Sequence, residues 1–445
     1  METRSHFVSR CASAGLVLAL VLTGLGTALP SFASSDAAPP VAAPAAQSLR
    51  TTPTPTTTIT ANITARQRRI FRKLWSIVNE RYIYPDFNGL DWQAARVEIN
   101  RRINAGMTDE AFYEAMRDLI ASLNDDHSQF LSPDEAKDED AEYEGTGTYT
   151  GIGIVSAVNA ERGYLYVLTV MPDSPAERSG IRPHDHVLEI DGQPSVDASG
   201  QSQSWLLRGE AGTTVTLRVR TPGQAPRLVE VQRDEVTSVE RIEHRLLAGD
   251  AGNPRIGYLN VPSLFEANVL SRSRTAVRDL MKDGPLDGFI LDLRTNGGGT
   301  YGNLRGLLAL FTGGDMGEFV SRSGTTTPIR VRASGIGNSQ QVPLVVLIST
   351  ATESFAEVLA GALQAAGRAT LIGQSTAGNV EILLSHDFED GSRLWLAEET
   401  FRLPNGAIWE GEGLMPDVLI PLGWDEYTVE DDPVLAAALK QFESR

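Results

Sequence analysis

Pro343-Leu-Val-Val-Leu-Ile-Ser-Thr-Ala-Thr-Glu-Ser354-Phe-Ala-Glu357 is an apolar run that stops in a short polar turn and continues as a helical pattern. An apolar strand running into a helix is the unit of an α/β layer. Ser354 stands at the head of that helix, where unpaired backbone N–H groups and the helix dipole favour developing negative charge. As a nucleophile there it would gain oxyanion stabilisation from the amide of Phe355. Serine is equally a preferred N-cap residue, and this stretch alone supports both readings.

A second apolar strand ends in Leu291-Asp-Leu-Arg-Thr-Asn-Gly-Gly-Gly299-Thr. Three glycines let backbone approach a substrate closely and aim N–H groups at one spot, as a second half of an oxyanion hole would. An ordinary flexible turn has the same composition. Outward from these two stretches, residues 255–422 alternate strand-like runs (255–261, 288–293, 342–349, 369–373) with helical ones (270–281, 303–311, 355–366).

Upstream, residues 146–235 change character, with short strand-like runs (151–158, 164–170, 186–190, 215–220, 228–233) between Gly, Pro and Asp turns. Earlier still, Ile70, Leu74, Ile77 and Val78, then Phe112, Met116, Leu119, Ile120 and Leu123, recur at helical spacing, and Thr108 predicts a capped helix start. The acidic run from Asp134 to Glu144 reads as a solvated linker.

The N-terminus reads as an export signal. Arg4 and Arg10 precede an apolar stretch from Ala14 to Leu29, and Ser31-Phe32-Ala33 offers small residues for cleavage after Ala33; left uncleaved, the same stretch would be a signal anchor holding the chain at the membrane, its body facing outward either way. Residues 34–62 are rich in Pro, Ala, Thr and Ser and read as a disordered spacer. The single cysteine, Cys11, falls within the signal, so disulfides and cysteine chemistry are not expected in the mature chain. The chain has 445 residues and a formal charge of −18, which suits several packed domains and argues against nucleic acid or an anionic membrane as partner.

Taken together, these segments resemble the carboxyl-terminal processing (tail-specific) serine peptidases and their tricorn-core relatives. Besides the two strand-turn stretches, Gly361-Ala-Leu-Gln364, Gly367 to Gly373 and Gly411-Glu-Gly-Leu-Met-Pro-Asp417 match the peptidase core of that family. Gly151-Ile-Gly-Ile154, Leu188 to Gly192 and Leu206-Leu-Arg-Gly209 match its PDZ domain. Asp91-Trp92 and Leu123-Asn-Asp-Asp-His-Ser-Gln-Phe-Leu131 match its N-terminal helical region. The resemblance covers about residues 65–422 and implies a multidomain α+β protein. The expected parts are signal 1–33, spacer 34–62, helical region 63–142, PDZ domain 143–236, α/β ClpP/crotonase-like core 237–424 and acidic C-terminal helix or tail 425–445.

The resemblance further implies peptide hydrolysis without cofactor or metal, Ser354 as nucleophile and the Gly298 and Phe355 amides as oxyanion donors. It also implies that the loop Gly151, Ile152, Gly153, Ile154 binds the C-terminal carboxylate of polypeptide substrates, for which exposed amides and an open strand edge are physically suited.

One departure matters. The family's usual general base is a lysine about two dozen residues after the nucleophile, and Asn379 occupies that place. The chain's lysines are Lys73, Lys137, Lys282 and Lys440, none in a core motif. In tricorn-like relatives a histidine from the N-terminal region serves instead, and His127 followed by Ser128 stands in the corresponding region. A neutral imidazole suits a serine hydroxyl near pH 7. Glu410 is the expected third member, with Glu412 and Glu381 as rivals.

The other histidines fit that role less well. His6 is in the signal, His184 and His186 in a PDZ turn, His244 between domains and His386 in a polar strand or loop. His184-Asp-His186 lacks a third metal ligand. Two alternatives stay open, an inactive PDZ-type binder of protein C-termini and a non-proteolytic hydrolase on a crotonase-like core.

Overall fold

The computed structural model describes residues 61–125, 127–247 and 254–443. The expected signal and spacer lie outside these, except that Ala61 and Asn62 already belong to the first helix.

α1 (Ala61–Arg81), α2 (Trp92–Ala105) and α3 (Asp109–Ala121) form the N-terminal region. Their apolar faces meet around Leu74, Val78, Ile103, Phe112 and Met116, all buried. Thr108 caps α3, its Oγ1 accepting from Ala111 N at 3.2 Å. β1 (Gln129–Leu131) and α4 (Pro133–Glu144) follow.

α4 corrects the linker reading of the acidic run, which is helical. Ser132 and Glu135 form a reciprocal capping box, Pro133 opens the first turn and Gly145 closes the last at φ 72°. Acids early in the helix suit its dipole. Further along, Arg393 Nη1 neutralises Glu139 and Asp140, at 2.8 Å from each. Caps and a tertiary cation outweigh the like-charge repulsion.

The β-rich module holds β2 (Thr148–Gly151), β3 (Ile154–Asn159), β4 (Tyr164–Val170), α5 (Pro175–Arg178), β5 (His186–Ile190), β6 (Gln193–Pro194), β7 (Thr214–Arg220), β8 (Arg227–Gln232) and β9 (Asp234–Thr237). Its sheet runs β3-β4-β5-β7-β8, which leaves β3 at an edge, while β2 pairs with β9. The single strand expected over 151–158 is broken at Ile152 and Gly153. Gly153 has φ 86°, and a Cβ there would stand 2.3 Å from Ser174 Cβ, so the turn requires glycine.

The core comprises β10 (Glu243–Leu247), β11 (Ile256–Asn260), α6 (Val269–Met281), β12 (Gly288–Asp292), α7 (Tyr301–Phe311), β13 (Gly314–Ser321), β14 (Thr326–Val331), β15 (Leu344–Ile348), α8 (Phe355–Ala365), β16 (Ala369–Gly373), β17 (Glu381–Asp387), β18 (Arg393–Arg402), β19 (Val418–Leu419) and α9 (Pro433–Glu443). The main sheet runs β10-β11-β12-β15-β16-β19, with every neighbour parallel except β10 with β11.

Strand side chains alternate between faces. Leu291, Val346 and Leu371 join α6, α7 and α8 in one core. Ile290, Val345 and Ile372 meet Tyr427, Val434, Ala438 and Phe442 on the other face. The acidic C-terminal segment thus supplies the second covering layer of the sheet. An antiparallel sheet, β1-β18-β13-β14 with β17 on β18, completes the core and ties it to the N-terminal region.

Candidate active site

Ligands of parallel α/β sheets sit beyond the carboxyl ends of the strands, and three such ends converge here. The loop after β15 is tied to the loop after β12: Ser349 Oγ donates to Arg294 O (2.5 Å), Thr352 Oγ1 to Leu293 O (2.9 Å) and Glu353 N to Asn296 O (3.0 Å). The loop after β16 closes on the same point, where Ala377 N donates to Thr352 O (3.1 Å) and Ser354 N to Asn379 O (2.9 Å).

Ser354 is half-buried at this convergence, with φ 53° and ψ −128°. A residue bearing a Cβ in that region stores on the order of 1–3 kcal/mol of strain and persists only where its surroundings over-determine it. Glu357 supplies much of that determination. Its fully buried carboxylate accepts from Ser354 N (3.1 Å), Asn379 N (2.8 Å), Gly378 N (2.9 Å) and Thr376 Oγ1 (2.5 Å). Burial pushes its pKa up, and these donors oppose the rise. The Ser-x-x-Glu spacing of a capping box was visible in the sequence and is the signal that marks Glu357.

Gly298 lies against Ser354. A Cβ there would stand 2.6 Å from Ser354 Cβ and 3.0 Å from its Oγ, at φ 93°. Its N–H donates to Asn296 Oδ1 (2.8 Å), and its carbonyl accepts from Leu264 N (2.7 Å). Phe355 is the first residue of α8, where a helix supplies no acceptor for the amide.

His127 enters from the turn between α3 and β1. Asp125 Oδ1 accepts from His127 N (3.0 Å) and Ser128 N (2.5 Å), and Ser128 Oγ accepts from Ala397 N (3.0 Å). The turn is thereby locked to β18. His127 Nδ1 lies 2.5 Å from Glu381 Oε2, and the side chains are 13% and 4% exposed. The contact is close but lacks the alignment of a straight hydrogen bond. Tyr84 Oη donates to the other oxygen of Glu381. No pattern in the sequence points to Tyr84.

Burial works against the imidazolium, but Glu381, with Asp125 and Glu410 behind it, prevails and raises the His127 pKa above its ordinary value. Glu410, the expected third member, reaches the same region from another loop. Its Oε2 accepts from Val380 N (2.8 Å), and its pKa is raised to about 7, first by burial and then by Glu381. Glu412 is exposed. The segment 379–381 therefore holds Ser354 at one end and His127 at the other, at most about 7 Å of chain apart. His127 Nε2 is buried, makes no hydrogen bond among the described residues and is not bonded to Ser354 Oγ.

Elsewhere, Gly151 ends β2 and Ile154 opens the edge strand β3; Gly151, Ile152 and Gly153 are buried, against the expectation of an exposed loop, and Ile154 is half-buried. The Ile152 carbonyl accepts from Ala176 N (2.8 Å) and the Gly153 carbonyl from Met171 N (2.9 Å). His184 and His186 dock the module on the core through Trp424 O (2.6 Å) and Asp425 O (2.7 Å). His244 lies in β10, 3.6 Å from Asp279, and His386 in β17, 2.5 Å from Glu398.

Residues 255–420 match the model of peptidase family S41, residues 64–121 the tricorn protease C1 domain and residues 166–221 the PDZ domain. The chloroplastic C-terminal processing peptidase of Tetradesmus obliquus is 30% identical over 367 residues, which cover 79% of this chain and 77% of that one. The chain belongs to the carboxyl-terminal-processing peptidases. A carboxyl-terminal-processing protease of Picosynechococcus sp. is 29% identical over 84% of this chain and 88% of its own. The solved structure of a photosystem II D1 C-terminal processing protease superposes with a TM-score of 0.59 at 27% identity, covering 80% of this chain and 93% of that one. This is a serine peptidase family with a PDZ domain and an S41 core, as the sequence motifs implied. In this chain Asn379 meets Ser354 through its backbone, its carbonyl accepting from Ser354 N.

Proposed function

We propose that this protein is an extracytoplasmic serine endopeptidase that engages polypeptides by their C-terminal tails and cuts them through Ser354, with His127 as general base. The observation that carries this reading is the close His127–Glu381 contact, set two residues along the chain from the carbonyl that anchors Ser354. A buried carboxylate at Nδ1 fixes the tautomer that leaves Nε2 free to accept a proton, and it stabilises the imidazolium that follows.

In the first half-reaction Ser354 Oγ attacks the scissile carbonyl carbon while His127 Nε2 takes its proton. The amides of Phe355 and Gly298 receive the oxyanion, the latter by exchanging its bond to Asn296 Oδ1. His127 then protonates the leaving amine, and water deprotonated by the same imidazole hydrolyses the acyl-enzyme. Glu381 is the orienting member. Glu410 lies behind it and adds negative charge to the site as it ionises.

The open edge of β3 and the glycine-containing loop before it suit addition of an extended tail as a further strand, with loop amides at its carboxylate. The name of the solved relative, a D1 C-terminal processing protease, is in keeping with tail recognition. The export-type N-terminus supports action outside the cytoplasm. The test is a reporter protein carrying an unstructured apolar C-terminal tail. The protein should cleave it, Ser354→Ala should not, and amidation of the tail carboxylate should raise KM several-fold. Equal cleavage of free and amidated tails would remove tail recognition from the account.

A further inference from the structure

Along the outer side of α7, a cavity of about 380 Å³ opens between α6, α7 and the end of β14. Arg274, Arg305 and Arg332 line it, and among the described residues no acidic one does. Arg274 Nη1 donates to Ser334 O at 3.3 Å. The Arg305 and Arg332 side chains have no hydrogen bond or ion pair among the described residues. Other arginines, Arg72 and Arg278 among them, also lack a side-chain partner among the described residues but do not line this cavity, while Arg294, Arg393 and Arg402 are paired, in a chain with 57 acidic against 39 basic residues.

The groove is also kept open. Gly302, in the first turn of α7, has free space where a Cβ would project, although glycine weakens a helix. The cavity begins close to the nucleophile: the Tyr301 ring packs on Phe355, the residue after Ser354, with centroids 6.3 Å apart. From Tyr301 to Ala309 the helix advances about 12 Å, the span of three or four extended residues.

We infer that this groove is a subsite for acidic side chains of the polypeptide substrate, with Arg305 and Arg332 as specificity-determining residues. The inference rests on the peptidase reading. A guanidinium grips a carboxylate through paired N–H groups. Because both arginines are exposed, each contact is modest and weakens with salt. The groove therefore ranks substrates and leaves the chemistry to Ser354.

The test uses the full chain carrying Ser354→Ala, which can bind without cutting, and two fluorescein-labelled peptides. These share one apolar tail and differ by three consecutive glutamates or glutamines upstream of it. The glutamate peptide should bind about tenfold more tightly at low ionic strength, and the advantage should vanish at 0.5 M salt and in Arg305→Gln/Arg332→Gln. Gly302→Leu, which fills the groove, should reduce it too. With Ser354 restored, the double variant should raise KM for the glutamate peptide and leave kcat and the glutamine peptide unchanged. Equal binding of the two peptides, or discrimination retained in the double variant at an unchanged melting temperature, would overturn the inference. Binding of inorganic polyphosphate without discrimination between the peptides would also overturn it. Because binding is read without turnover, a failure of the peptidase reading is seen separately as absent cleavage.

Discussion

Nδ1 of His127, from the N-terminal region, stands 2.5 Å from Oε2 of Glu381, at the start of β17 and 254 residues further along the chain. Both are nearly buried, and their approach depends on β1 pairing with β18 (Gln129 opposite Trp395). Substitution of Glu381 by Gln should lower kcat by about 10²–10⁴-fold, since the imidazole loses its orienting and charge-stabilising partner. Loss of the negative charge also lowers the His127 pKa, so the rising limb of the pH–rate profile should move to lower pH as its plateau falls. A profile that drops without moving would mean that Glu381 does not face the base.

In the proposed mechanism His127 must be neutral to act as base, and its pKa is raised above the ordinary 6.5. Activity should therefore climb with pH through a midpoint above 6.5. Glu410→Gln should shift that midpoint down slightly and change kcat less than tenfold, because Glu410 acts on His127 only through its charge. A loss as large as that of Glu381→Gln would restore Glu410 as the orienting member.

Gly298→Ala should abolish turnover while leaving the fold near intact, because the new methyl would stand 2.6 Å from Ser354 Cβ. Circular dichroism and the melting temperature check the fold, and peptide cleavage checks the loss.

Glu357→Ala should cost about 3 kcal/mol or more in urea unfolding. It leaves the amides of Gly378 and Asn379 and the Thr376 hydroxyl without their acceptor at the turn that holds Ser354 in its strained conformation, while Ser354 N keeps only its bond to Asn379 O. Activity should fall with it, since the turn relaxes. Little change in either quantity would show that the strand-loop bonds suffice.

The PDZ docking surface carries its own pH dependence. Burial depresses the His184 pKa to about 4, with the ring stacked 4.0 Å from Trp424 and its Nδ1 on the Trp424 carbonyl. The folded value lies below the unfolded value of about 6.5, so this contribution is complete above pH 6.5 and is lost as pH falls toward 4. It amounts to about 3 kcal/mol. The melting temperature should drop across that window, and His184→Gln should flatten the drop. A parallel drop in the variant would assign the effect to other groups.

Much of this protein was legible in its sequence. Continuous apolar runs such as Leu344 to Ile348 announce buried parallel strands, and local pattern puts Ser354 at a helix start and the Gly297–Gly299 turn after a strand, while their roles are implied only by the family resemblance. The antiparallel sheet is not legible in the sequence, because β17 and β18 carry Glu381, His386 and Glu398, which resemble surface residues until paired. The choice among the glutamates near His127 was equally hidden. It depends on three loops and a helix end meeting in space, and Tyr84 has no local signature. Asn379 was readable as a departure, but its carbonyl bond to Ser354 was not.

The most direct test of the account is active-site labelling by a fluorophosphonate, which reports an activated serine without any knowledge of the substrate. The protein should label stoichiometrically at Ser354, and both Ser354→Ala and His127→Ala should lose the label while keeping their melting temperatures. Undiminished labelling in His127→Ala would place the base elsewhere. No labelling at any pH, with tail peptides still bound, would contradict the peptidase assignment.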